Sequence, residues 1–320
     1  MTNAFCSNLE LISSESELSR SSVIGAGFIG KHLIRRLLSE GISLNILDHN
    51  LCPLEFTGKL KWIVGDYQDI QALSSAIEGS NTIYHLVSST VPGDQNVNIA
   101  TEINENVLGT LNLISMAIKH GVRRIVFVSS ASVYGIQDNF PIREASSTNP
   151  ISVHGIHKLM IEKFLLLNRW QNSIDIKILR LSNPYGPGQS LNGRQGFIGI
   201  AIGSILQNKI LTIRGDGKII RDFIYIDDAV TGIVNAGLHS GSANIFNIGS
   251  SKGYSLNNLI NVLENVMERV LPINYVPQLK IDIPISILDN SLARNDLGLQ
   301  ISTNLVEGLI KTVRSHCALL

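Results

Sequence analysis

Short apolar runs alternate with helical periodicity through the first half of this 320-residue chain. Runs near 22–24, 43–47, 62–64, 82–86, 124–129 and 177–181 have the length and flanking turn residues of strands. Between them, apolar residues recur every three to four positions over 30–40, 69–77, 99–120 and 156–170, as helices that bury one face require. Strand–helix alternation of this kind predicts a parallel sheet covered on both faces, in a doubly wound α/β (Rossmann) fold. The first strand breaks the pattern, because Ser21 and Ser22 stand where a central strand wants Val or Ile. After Asn183 the pattern loosens into Gly/Pro-rich loops, with further helices near 256–270 and 304–313. Residues 1–20 read as a mobile extension and 21–182 as a dinucleotide-binding domain. A later segment near 224–250 returns to that domain, and 183–320 forms mainly a smaller C-terminal substrate-binding part.

Composition narrows the class. Hydrophobic residues make up 44% of the chain and charged residues 16%, enough to bury a sizeable core, and formal net charge is zero. With no basic block, a nucleic-acid partner is not expected. No apolar run is long enough to span a bilayer. Cys6, Cys52 and Cys317 lie far apart without metal or disulfide spacing, so no metal is expected and a reducing cytoplasm is the simplest compartment.

Gly25, Gly27 and Gly30 follow the first strand and open a helix at Phe28-Ile29. Glycines there let the backbone approach a pyrophosphate, and the helix start offers N–H groups to the anion. Asp48 ends the second strand, where a carboxylate accepts from an adenine ribose and repels a 2′-phosphate, which favours NAD over NADP. Asp66 ends the third strand, either beside the adenine or as a helix cap.

These features, with His85-Leu86, Asn106-Val107-Leu108-Gly109-Thr110, the run 129–135, Lys158, Asn183-Pro184-Tyr185-Gly186 and Arg221-Asp222-Phe223, resemble the extended short-chain dehydrogenase/reductases. Within them the chain looks most like the NAD-dependent epimerase/dehydratase family and the UDP-glucose 4-epimerases. The resemblance implies NAD held by Gly25, Gly27, Phe28, Ile29, Gly30, Asp48, Asp66, Leu86, Asn106 and Lys158. It implies a UDP-sugar held by Ser88, Ser130, Asn183, Arg221 and Asp282, with Ser89, Thr90 and Pro92 completing the loop over the sugar. It also implies a homodimer paired through helices 99–120 and 156–170. In this chain either Ile24 takes the place of the first glycine, where a β-branched side chain would crowd the phosphate, or one loop residue has been deleted. Leu279, with Lys280 beside it, takes the place of an arginine near the uridine. Ser286 stands where a bulkier residue limits sugar size, which leaves room for an N-acetyl group.

The chemistry implied is removal of a proton from a sugar hydroxyl while hydride leaves the same carbon. The family's base is a tyrosine four residues before Lys158, and this chain has His154 there. A phenol needs its pKa pulled down from near 10, whereas imidazole titrates near 6.5 and is neutral at pH 7. His154 reads equally as the base and as a filler of the tyrosine's space. Ala131-Ser132 replaces the acidic pair of sugar dehydratases, which argues against water elimination. Three functions follow. The first is UDP-glucose or UDP-N-acetylglucosamine 4-epimerisation for surface polysaccharide such as lipopolysaccharide. The alternatives are a catalytically impaired NAD- and nucleotide-sugar-binding homologue and a keto-sugar reductase.

Overall fold

The computed structural model describes residues 20–89, 98–172, 174–279 and 282–317; the N-terminal extension expected over 1–20 therefore lies, apart from Arg20, outside the described residues. Six strands, β1 (Ser21–Ile24), β2 (Leu44–Asp48), β3 (Lys61–Val64), β4 (Thr82–His85), β5 (Arg124–Ser130) and β6 (Asp175–Leu181), alternate with helices. The helices are α1 (Phe28–Ser39), α2 (Ile70–Ile77), α3 (Ile99–Glu102), α4 (Gly109–Lys119) and α5 (Val153–Asn172). The rest of the chain adds β7 (Asn183–Tyr185), α6 (Phe197–Leu206), β8 (Leu211–Arg214), β9 (Ile220–Tyr225), α7 (Ile226–Leu238), β10 (Ile245–Ile248) and β11 (Gly253–Ser255). It closes with α8 (Leu256–Met267), β12 (Ile273–Val276), β13 (Ile285–Ser286), α9 (Ser291–Asp296) and α10 (Leu305–Cys317).

The main sheet has seven strands in the order β10-β6-β5-β4-β1-β2-β3, and every pairing is parallel. Strand order reverses between β1 and β4, which makes the crevice beyond their carboxyl ends the expected ligand position of a doubly wound sheet. Alternate residues feed opposite faces. Val23, Ile46 and Val126 join one core with α1, α6 and α7; Ile24, Leu47, Ile125 and Phe127 join another with α2, α4 and α5. A smaller sheet sets β9 between β11 and β13, with β7 also pairing β9, and β8 pairs with β12.

The polar first strand has a physical answer. Ser22 is fully buried, and its hydroxyl bonds the Ala76 carbonyl (2.8 Å) and the Ser80 hydroxyl (2.7 Å). Ala76 lies in the last turn of α2, where a carbonyl has no partner within the helix. The serine ties β1 to the end of α2, a role that an apolar side chain could not fill.

The single helix expected over 99–120 is interrupted. Between α3 and α4 the backbone forms a π-helical turn, Ile103–Leu108. Such turns insert extra backbone, so a side chain is re-aimed relative to regular helix. Here Asn106 is turned inward and buried.

Ser22→Val should lower the unfolding free energy by about 1–3 kcal/mol, despite a gain in strand propensity and apolar area, because the α2 carbonyl loses its buried donor. Urea denaturation of both forms measures this, and an equal or more stable variant would remove the serine from that role.

Candidate active site

The site is assembled from loops at the carboxyl ends of β1, β2, β4 and β5. Three residues, Gly25 to Gly27, turn the chain from β1 into α1. Gly25 has φ +97°, and a Cβ there would press on Val87 Cγ2 at 3.0 Å. A Cβ on Gly30 would collide with the Gly25 carbonyl oxygen, so the helix and the turn touch backbone to backbone. Gly27 is different: nothing lies within 4 Å of its missing Cβ. It caps α1 without a side-chain bond, leaving the first N–H groups at Phe28 and Ile29 to point outward. An open glycine face at a helix start is the cradle that a dinucleotide pyrophosphate fills.

Ile24 does not crowd this cradle. It is the last residue of β1, fully buried and packed in the core with Leu47 and Ile83. The loop is short, and no phosphate-facing position falls to a branched side chain.

Asp48 ends β2 and its carboxylate reaches back to the turn, Oδ2 accepting from the Ala26 N–H at 2.6 Å. Oδ1 accepts from the N–H and Nδ2 of Asn50 at 2.8 and 2.9 Å. An ionised carboxylate has about four acceptor positions, so room for a further donor remains. Asp66 is exposed and accepts from the Gln68 N–H at 2.9 Å, a local turn, while Asp69 caps α2. The Leu86 N–H donates to the Ile24 carbonyl, which sets the β4 end against the glycine turn. Asn106 accepts from the Ser89 N–H (3.0 Å) and donates to the Ser89 hydroxyl (2.7 Å) and to Glu102. It thus anchors Ser88-Ser89 to the π-helical turn; Thr90 and Pro92 lie outside the described residues.

Ser130 ends β5 and caps the 3₁₀ turn Ala131–Tyr134. Its oxygen accepts from the Ser132 N–H (3.2 Å) and hydroxyl (2.9 Å), leaving its own proton to donate. The start of α5 presses on this turn. A Cβ on Gly155 would lie 2.5 Å from the Ser132 carbonyl oxygen, so only glycine permits the approach that brings His154 beside Ser130's turn. His154 and Lys158 are buried and share one helix face, four residues apart. The Lys158 ammonium donates to the Val128 carbonyl at 2.9 Å and stands 4.7 Å from the Phe127 ring centre. Burial pulls its pKa down to about 8, against the opposing charge of Glu162.

Asn183, Arg221 and Ser286 meet on the small sheet. Asn183 pairs with Phe223 in β9, and Ser286 with Arg221. The Asn183 amide donates to the Asp222 carbonyl at 2.8 Å. Arg221 is half-buried, with Nη1 donating to its own Ile220 carbonyl; burial lowers its pKa and the Asp282 charge opposes that. Asp222 and Asp227 are not its partners. Asp222 accepts from the N–H groups of Ser250, Ser251 and Leu288, and Asp227 faces His32. Asp282 accepts from the Leu279 N–H at 2.9 Å, and Lys280 lies outside the described residues.

Sequence reading missed what supports this site. Glu162 and Arg180 form a buried ion pair at 2.7 Å, and the Ser129 hydroxyl donates to Glu162 at 2.5 Å. Arg180 lies over the Tyr134 ring, and the Tyr134 hydroxyl donates to Asn247 Oδ1 at 2.6 Å. The signal was an arginine inside an apolar strand and a glutamate one helical turn beyond Lys158. His32 of α1 was missed as well: its Nε2 is 2.8 Å from the Pro187 carbonyl, joining the first βα unit to the loop after β7.

Residues 22–249 match the NAD dependent epimerase/dehydratase family. The UDP-glucose 4-epimerase of Mycolicibacterium smegmatis is 31% identical over 92% of this chain and 97% of its own length. An Escherichia coli dTDP-4-dehydro-6-deoxyglucose reductase is 31% identical over 91% of the chain and 95% of its own. The Thermotoga maritima UDP-glucose 4-epimerase, solved with UDP-glucose, superposes with a TM-score of 0.88 at 28% identity, covering 94% of this chain and 99% of that one.

His85 gives the site a pH signature. Fully buried, with Nε2 on the Thr110 hydroxyl, it is held neutral, its pKa lowered to about 3 by burial and by the Lys158 charge. Its contribution to stability is complete above the unfolded value near 6.5. It is lost progressively as pH falls from there toward 3, because the unfolded chain takes the proton first. Between pH 6.5 and 5, wild type should lose about 2 kcal/mol more than His85→Gln in urea unfolding. Parallel losses would show that His85 is not held neutral.

Proposed function

We infer that this chain, which belongs to the NAD dependent epimerase/dehydratase family, is a C4 epimerase of a UDP-linked sugar that works through a transient keto-sugar. NAD is the family's cofactor, and it supplies the hydride acceptor and donor when bound. The single observation that supports the reading is the close approach of Gly155 to the Ser132 carbonyl, which packs the start of α5, the helix that carries His154 and Lys158, against the turn that Ser130 caps.

The residues divide the work by chemistry. The Gly27 face and the N–H groups of Phe28 and Ile29 take the pyrophosphate, with Gly25 and Gly30 closing the turn. Asp48 takes the adenine ribose, its charge disfavouring a 2′-phosphate. Asp66 and Leu86 border the adenine and the nicotinamide end, and Asn106 holds the loop above them. Ser88 and Ser130 hydrogen-bond the sugar, and Ser130 has its proton to give to the reacting oxygen. His154 removes the hydroxyl proton and returns it after the keto-sugar has turned over. Lys158 holds a positive charge beside the oxygen as negative charge develops there. Asn183 and Arg221 grip the UDP diphosphate, arginine by its planar fork, and Asp282 takes the uridine ribose. The serine at 286 leaves room for an N-acetyl group.

Other observations extend the reading. Ile118 on α4 and Ile156, Leu167 and Trp170 on α5 are exposed, which supports a homodimer through these helices. Among the described residues no helix is long and apolar enough to cross a membrane, in keeping with a cytoplasmic enzyme of surface polysaccharide synthesis, lipopolysaccharide included. The E. coli reductase among the relatives favours a second reading, reduction of a nucleotide-linked keto-sugar. Consumption of added NADH with such a substrate would select it over epimerisation. The histidine at 154 favours a third, an impaired homologue that binds both nucleotides without turnover.

UDP should raise the melting temperature, and Arg221→Ala should abolish that rise while leaving the effect of NAD intact. Full protection of the variant by UDP would make the arginine structural.

His154→Tyr should raise epimerase activity about tenfold or more, since a phenol reaches further into the crevice and base catalysis contributes on the order of a hundred- to ten-thousand-fold. UDP-sugar interconversion by the native and variant forms measures this. A fast native enzyme slowed by tyrosine would establish histidine as the fitted base. Two inactive forms that still bind NAD and UDP would favour the impaired homologue.

A further inference from the structure

Lys158 occupies a niche that keeps water from its charge. It is 6% exposed, and its ammonium donates to the Val128 carbonyl and lies over the face of the Phe127 ring, contacts that offset only part of the lost hydration. Desolvation favours the neutral amine at such a position. The groups around it give little help. From β4 comes His85, which burial holds neutral, and His154 stands one helical turn before Lys158 on α5. Among the described residues the carboxylate whose field acts on Lys158 is Glu162, one turn further along the same helix face.

Glu162 is fixed with unusual thoroughness. It is 1% exposed; Arg180 on β6 reaches it through Nε and Nη2, and the Ser129 hydroxyl donates to Oε1. Arg180 is fixed in turn by the Glu144 carbonyl and the Tyr134 ring. Arg180 belongs to β6 of the main sheet, whereas Lys158 and Glu162 lie four residues apart on α5. We propose that Glu162 is a positioning residue whose buried charge, locked by Arg180 and Ser129, keeps the Lys158 ammonium protonated at the site. This rests on the proposed role of Lys158 in epimerisation.

The test is the titration of Lys158 itself, read without cofactor from the side-chain NMR shifts of protein labelled at lysine, with Lys158→Met assigning the signal. In Glu162→Gln, which keeps shape and an acceptor for Ser129, the Lys158 midpoint should fall by about one to three pH units. The double variant Glu162→Gln/Arg180→Gln removes both charges and guards against loss of fold from an unpaired arginine. It should show a fall in the same direction. An unmoved midpoint in the double variant overturns the proposal and leaves Glu162 a structural residue. The alkaline limb of kcat/KM for UDP-sugar interconversion should move down with the midpoint. A Lys158 midpoint that falls while the kcat/KM profile stays put would support the electrostatic role of Glu162 and overturn the role given to Lys158 in the reaction.

Discussion

The approach of Gly30 to the Gly25 carbonyl governs the nucleotide end of the molecule, because a turn of three residues closes only if helix and strand meet without side chains between them. That contact sets where α1 begins and therefore where its free N–H groups point. It also places the Ala26 N–H against Asp48, so the carboxylate that ends β2 braces the same turn. A second contact of the same kind, Gly155 against Ser132, governs the other half. Two backbone contacts thus fix the turn after β1 and the start of α5 beside the turn after β5, both at the carboxyl end of the sheet.

Much of this was legible in the chain. Strands placed by short apolar runs fall within a few residues of the observed ones, because buried parallel strands need apolar residues on both faces and turn residues at both ends. The glycine turn and Asp48 were legible because spacing alone demands a strand before and a helix after. What escaped has a common cause. Ser22 looks misplaced until Ala76 and Ser80, more than fifty residues away, are brought to it. The π-helical turn leaves no mark in a periodicity spread over 99–120. For Ile24, substitution of a glycine and a shortened turn both stayed open, because counting from the motif cannot tell one from the other.

The buried polar layer beneath the site belongs to the same class of hidden feature. Glu162, Arg180, Glu144, Asn247 and Tyr134 come from separated stretches of chain, yet each bonds the next. A buried ion pair of this sort adds little to stability relative to apolar packing of equal volume. Its orientation is another matter: the ion pair ties β6 to the helix that carries the site, and Asn247 joins the last-added strand, β10, to the same layer.

That last strand has a consequence for synthesis. β10 pairs with β6 across more than sixty intervening residues, so β6 remains an open edge until the chain has grown past Ile248. A nascent or truncated chain lacking β10 presents unpaired backbone groups along a strongly apolar strand, the geometry that recruits other chains. Because so many contacts join distant segments, assembly is slow relative to a helical protein of equal size. Expression of the first half alone, however complete its glycine turn and His154–Lys158 face, therefore invites aggregation rather than an autonomous cofactor-binding domain.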